Sequence, residues 1–74
     1  MIHINDLRKL LQVGLEFTME YIAEDGRRIR AENIRMTSSN FKRNTINVRH
    51  TASGVIRTVR IFQIVSYNGT EVFL

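Results

Sequence analysis

A chain of 74 residues with 11 lysines and arginines against 7 acids carries a net charge of +4, and it contains neither cysteine nor proline. That composition excludes disulfide or thiolate–metal staples, rigid proline linkers and more than one domain. Stability, on the order of 4–11 kcal/mol for a chain this short, must come from a packed core or a partner subunit.

The apolar fraction of 43% is that of an ordinary globular domain. No apolar run is long enough to span a bilayer. Asn5, Asp6, Arg8 and Lys9 interrupt the N-terminus where a signal peptide would be apolar. The expectation is a soluble, cytoplasmic protein with no membrane partner. The charge is unevenly spread. Residues 1–32 hold five bases and six acids, whereas residues 33–70 hold six bases and no acid. A surface built from the second stretch carries a positive potential, which attracts nucleic acid or an acidic protein. The plainer reading is that these bases only keep a small protein soluble.

Taken in order, residues 5–13 read as a short helix. Leu7, Leu10 and Leu11 share one face, Asn5 or Asp6 can cap its start, and Gly14 can end it. So short a helix must dock its leucines on the remainder of the fold. Residues 15–23 alternate, with Leu15, Phe17, Met19 and Tyr21 facing in and Glu16, Thr18 and Glu20 facing out. Asp25-Gly26 marks a hairpin of the type I′ kind, with positive φ at both positions. The strand returns with Ile29 and Ala31 inward and Arg28, Arg30 and Glu32 outward. Residues 33–36 either extend this strand or bend into the next loop.

Residues 37–44 are polar and turn-rich and read as a loop. Its one aromatic, Phe41, stands beside Lys42 and Arg43. It either stacks on a nucleic-acid base or folds back over the core. Residues 45–51 form a strand with Ile46, Val48 and His50 on one face and Asn47 and Arg49 on the other, followed by a turn at Ala52-Ser53-Gly54. The run from 55 to 66 does not alternate cleanly. Two paths fit: a strand bulged near Thr58, or a strand to about Arg60, a single helical turn and a new strand. Asn68-Gly69 is a type I′ hairpin on the first path and a turn within the final segment on the second. Residues 71–74 close as an apolar strand that needs a pairing partner. The predicted core is Leu7, Leu10, Leu11, Phe17, Met19, Tyr21, Ile29, Ile46, Val48, Val59, Phe62, Ile64 and Val72.

No constellation for catalysis emerges. The two histidines, His3 and His50, are far apart in sequence, and the acids sit on different elements. The four glycines fall at turns rather than in a phosphate loop. The chain is therefore expected not to be an enzyme, and to need no metal or other cofactor.

A helix, a hairpin with a tight Asp-Gly turn, a polar loop and three further strands resemble the plan of SH3-like small barrels, which Sm-like RNA-binding proteins share. The segment from Ile64 to Leu74, with Asn68-Gly69, stands where those proteins carry their closing strand. The signature they carry around the third and fourth strands is absent here. The stretch Val-Arg-Ile-Phe-Gln-Ile … Asn-Gly-Thr-Glu-Val-Phe-Leu also resembles small uncharacterised proteins of bacterial phages and integrated elements, a likeness that implies no activity and no site residues.

The resulting expectation is a single mainly β domain over residues 1–74. A helix at 5–13 precedes an SH3-like antiparallel barrel of five or six strands at 15–74. Its expected role is binding DNA or RNA through Arg28, Arg30, Phe41, Lys42, Arg43, Arg49, Arg57 and Arg60. The alternative is a protein-interaction or assembly module that pairs or self-associates through an exposed C-terminal edge strand.

Overall fold

The computed structural model describes every residue from Met1 to Leu74. The elements run β1 (Ile2–His3), α1 (Ile4–Leu10), β2 (Glu16–Ile22), β3 (Arg28–Asn40), β4 (Thr45–His50), β5 (Ile56–Arg60), a 3-10 turn (Ile61–Gln63), β6 (Ile64–Tyr67) and β7 (Thr70–Phe73). The seven strands form one sheet in the order β1-β7-β6-β2-β3-β4-β5. All pairings are antiparallel except β1 with β7, so the sheet is mixed.

β3 is the spine. Its 13 residues pair with β2 from Arg28 to Arg35 and with β4 from Ile34 to Asn40. A single flat strand could not serve both neighbours of a curled sheet, and two irregularities bend it. The register shifts between Phe17 and Met19, where Asn33 takes a positive φ of 52°, and again between Met36 and Ser38. Asparagine tolerates that left-handed backbone better than a branched residue would.

Residues 33–40 therefore belong to the strand, and the expected loop shrinks to a turn at 41–44. The polar side chains explain why Thr37–Asn40 stays paired. Asn47 Nδ2 donates to Ser38 Oγ at 2.7 Å, and Thr58 Oγ1 donates to Asn47 Oδ1 at 2.6 Å. These two bonds run across β3, β4 and β5, a role that composition alone assigns to turns.

The core comprises Ile4, Leu7, Leu11, Phe17, Met19, Ala31, Ile34, Met36, Ile46, Val48, Val59, Ile61 and Ile64. Tyr21 and Val72, both expected inside, are half-buried against it. Two expected core residues face out: Leu10 is 46% exposed and Phe62 52% exposed. Leu10 is displaced because the helix starts and stops early. His3 caps it, with Nδ1 accepting from the Asn5 N–H at 3.1 Å, and Leu11 is already extended. The buried stripe becomes Ile4, Leu7 and Leu11, and burying Leu7 alone is worth about 1.5–3 kcal/mol. Gly14 lies beyond the helix end, with φ at 91° and its N–H bonded to the Met36 carbonyl at 2.8 Å.

The path through residues 55–66 is the second of the two expected: strand, helical turn, strand. In the 3-10 turn Ile61 is fully buried while Phe62 points away. Yet Asn68-Gly69 also closes a true hairpin between β6 and β7, with φ of 47° and 82° as a type I′ turn requires. The Asp25-Gly26 turn differs from expectation. Only Gly26 has positive φ, and Gly26 N–H bonds the Ala23 carbonyl at 2.9 Å. Glu24-Asp25-Gly26 is thus a three-residue loop closed by a left-handed glycine.

Asn68 does more than turn the chain. Its Oδ1 accepts from the Thr18 N–H at 2.9 Å, and its own N–H donates to the Thr18 carbonyl at 2.8 Å. Asn68→Ala loses the side-chain bond and strains the positive φ, and should cost about 2 kcal/mol. Asn68→Gly keeps the backbone conformation and should cost about 1 kcal/mol or less. The order of the two urea midpoints checks this.

The sheet is open, since β5 pairs only with β4 and β1 only with β7. The β7 strand is not the free edge expected of the C-terminal segment. Ile2 and His3 cover it in parallel, at Val72 and Phe73, and the His3 and Phe73 rings meet edge-on at 5.1 Å. The long free edge is β5.

Candidate nucleic-acid interface

The sheet curls so that residues of the β2–β3 hairpin, β5 and the 3-10 turn line one groove of about 1040 Å³. Tyr21 of β2, Arg27 and Ile29 of the β2–β3 hairpin, Arg57, Thr58 and Arg60 of β5 and Phe62 of the 3-10 turn line it, together with Arg43, Asn44 and His50. Four arginines share this recess with one acid, Glu24.

Strand periodicity explains how Arg57 arrives there. It lies across from Val48 and on the same face as Val59, the face that is core further along. Near the strand start the core ends and the groove begins, so the guanidinium stays in water. His50 ends β4 on the inward face in the same way and is half-buried. The helical turn after Arg60 then swings Phe62 outward beside these cations.

Pairing separates the bases further. Arg28 donates to Glu20 at 2.9 Å, Arg30 to Glu32 at 2.8 Å, and Arg27 to Asp25 at 2.6 Å. Longer pairs join Arg35 to Glu16 and Lys9 to Asp6, both at 3.9 Å. The bond from Arg28 holds the Glu20 carboxyl below the usual carboxylate range, so this arginine is committed to its neighbour. None of these pairs includes Lys42, Arg43, Arg49, Arg57 or Arg60. Exposed pairs of this kind add little stability, but they cancel charge locally.

Of the eight residues expected to bind, the groove gathers Arg43, Arg57 and Arg60. Arg28 and Arg30 lie on the outward face of β3 with their acid partners. Arg49 lies on the outer face of β4 opposite Arg35, and a Cβ placed on Gly54 would stand 3.5 Å from its guanidinium. Lys42 is exposed in the turn at 41–44. Phe41 neither covers the core nor stands free: the Arg8 guanidinium lies 5.7 Å from its ring centroid. With Asn5 and Lys9 these two residues line a separate hollow of about 380 Å³.

The groove residues absent from the expected set include Tyr21, Arg27, Asn44, His50 and Phe62. Tyr21 and Phe62 carry a core signal in the sequence, because aromatic residues in a strand pattern usually pack inside. Arg27 reads only as a hairpin flank. Asn44 takes a φ of 55°, and its side-chain Oδ1 is buried with no hydrogen-bond partner.

No known protein family, characterised protein or solved structure matches the chain. No helix is long and apolar enough to cross a membrane.

Proposed function

We propose that this chain is a small, non-enzymatic, cytoplasmic nucleic-acid-binding domain that uses the basic groove. The observation that carries the reading is the convergence of Arg43, Arg57 and Arg60, none of them ion-paired, on one recess beside an exposed phenylalanine. Phosphates supply the counter-charge that the acid-free half of the chain lacks, and binding releases their counterions. An SH3-like barrel is the plan we assign to it. The order β6-β2-β3-β4-β5, the bent β3 and the 3-10 turn between β5 and β6 support that plan. The step from such a fold to nucleic acid is an analogy, and the groove is what gives it chemical content.

A second reading rests on the free edge of β5, whose first residue Ile56 and the preceding Val55 are exposed. That edge can add a strand from a protein partner or a second copy. It replaces the C-terminal strand as the site for such pairing, because β1 already covers β7.

Titrating isotopically labelled protein with DNA and RNA at about 50 and 200 mM salt separates the two. The nucleic-acid reading expects salt-sensitive amide shifts centred on Arg43, Arg57, Arg60 and Phe62. Absence of shifts at the lower salt, with a dimer or larger species by light scattering, would replace it with strand addition at β5.

A further inference from the structure

We infer that the groove takes its nucleic acid as a single strand, with the Phe62 ring as the surface on which an unpaired base stacks. The inference rests on the reading of the groove as a nucleic-acid interface and says which form of the polymer fits it.

The four phenylalanines differ in what they touch. Phe17 is buried and lies 5.4 Å from the Tyr67 ring. Phe73 meets His3 edge-on, and Phe41 lies under the Arg8 guanidinium. Phe62 alone has no aromatic or cationic partner, and it is 52% exposed although the fully buried Ile61 precedes it. Phe62 is thus left half in water, and it lines the same groove as the four arginines. Tyr21, half-buried on the core, lines the same groove.

Duplex and single strand place different demands on a protein. Reading a duplex needs an element that projects into the DNA groove, a helix or a two-stranded ribbon. Here the arginines and the ring line a recess, which receives a chain instead of entering one. In a duplex, moreover, the faces of the bases are taken up by stacking on each other. A ring such as Phe62 reaches a π-face only when the base is unpaired, and stacking of that kind is worth about 1–3 kcal/mol per base. Arg57 and Arg60 line the same recess without acid partners, so they are available to the phosphates of that strand.

The test measures anisotropy of labelled oligo(dT), oligo(U) and a duplex, each of about 12 nucleotides, with the full chain and with Phe62→Ala, Phe62→Trp and Arg57→Ala. At least one single-stranded probe should bind more tightly than the duplex, and the tighter of the two names DNA or RNA as the source. Phe62→Ala should weaken that probe about 5- to 150-fold with an unchanged salt slope, and Phe62→Trp should retain binding. The Phe62 ring protons of the unaltered protein should shift upfield on titration, a readout that does not depend on how any variant folds. Duplex binding as tight as single-strand binding, with Phe62→Ala neutral and Arg57→Ala weakened, would overturn the single-strand inference and leave the basic groove standing. Binding of none of the probes would overturn both.

Discussion

Ile61→Ala should destabilise the protein by about 2–5 kcal/mol, whereas Phe62→Ala, one residue on, should change stability by less than about 0.5 kcal/mol. The contrast follows from the 3-10 turn, which buries Ile61 completely and leaves Phe62 half in water. Truncating Ile61 opens a cavity beneath the junction of β5 and β6. The turn is also tied to the rest of the sheet there, since Ile61 N–H donates to the Asn44 carbonyl at 2.7 Å and Arg60 N–H to Gln63 Oε1 at 3.2 Å. With total stability on the order of 4–11 kcal/mol, Ile61→Ala takes a large share and can leave the chain partly unfolded at ambient temperature. Urea midpoints of the two variants measure the difference. Equal midpoints would mean that the turn does not divide the two residues between core and groove.

That pair of neighbours also shows where sequence reasoning stops. Phe17 and Met19, or Ile46 and Val48, are legible because a straight strand repeats every two residues and one face is buried. The same rule assigns Phe62 inward with Ile64, and a single helical turn is enough to defeat it. Ile34 and Met36 were obscured differently. Asn33 forms a bulge, and the Thr-Ser-Ser-Asn that follows has loop composition but strand geometry. The two-residue β1 is too short to show any period, so nothing in the sequence announces that it covers β7. For the interface, the missing acids point to Lys42, Arg43, Arg49, Arg57 and Arg60 alike, and only Arg43, Arg57 and Arg60 line the groove. Their grouping with Tyr21, Arg27 and Phe62 was not visible, because it depends on how far the sheet curls to bring the β2–β3 hairpin toward β5.

The sequence treats all its arginines alike, and the structure does not. Arg43, Arg57 and Arg60 have no acid partner and share the groove; Arg28 and Arg30 are held by Glu20 and Glu32 on the outward side of β3. Each phosphate neutralised on a single strand contributes a slope of about −0.7 in log K against log salt. Replacing Arg43, Arg57 and Arg60 together by alanine should therefore flatten that slope by about 2, and should weaken binding most at low salt. Replacing Arg28 and Arg30 should change the slope by less than about 1. Removing them also frees two carboxylates, so a modest general loss of affinity with little change in slope is the outcome expected. Anisotropy titrations of both variants from about 50 to 200 mM salt decide the matter. If the Arg28 and Arg30 variant lost the greater slope, the phosphates would run over the outer face of β3, and the groove would not be the path of the strand.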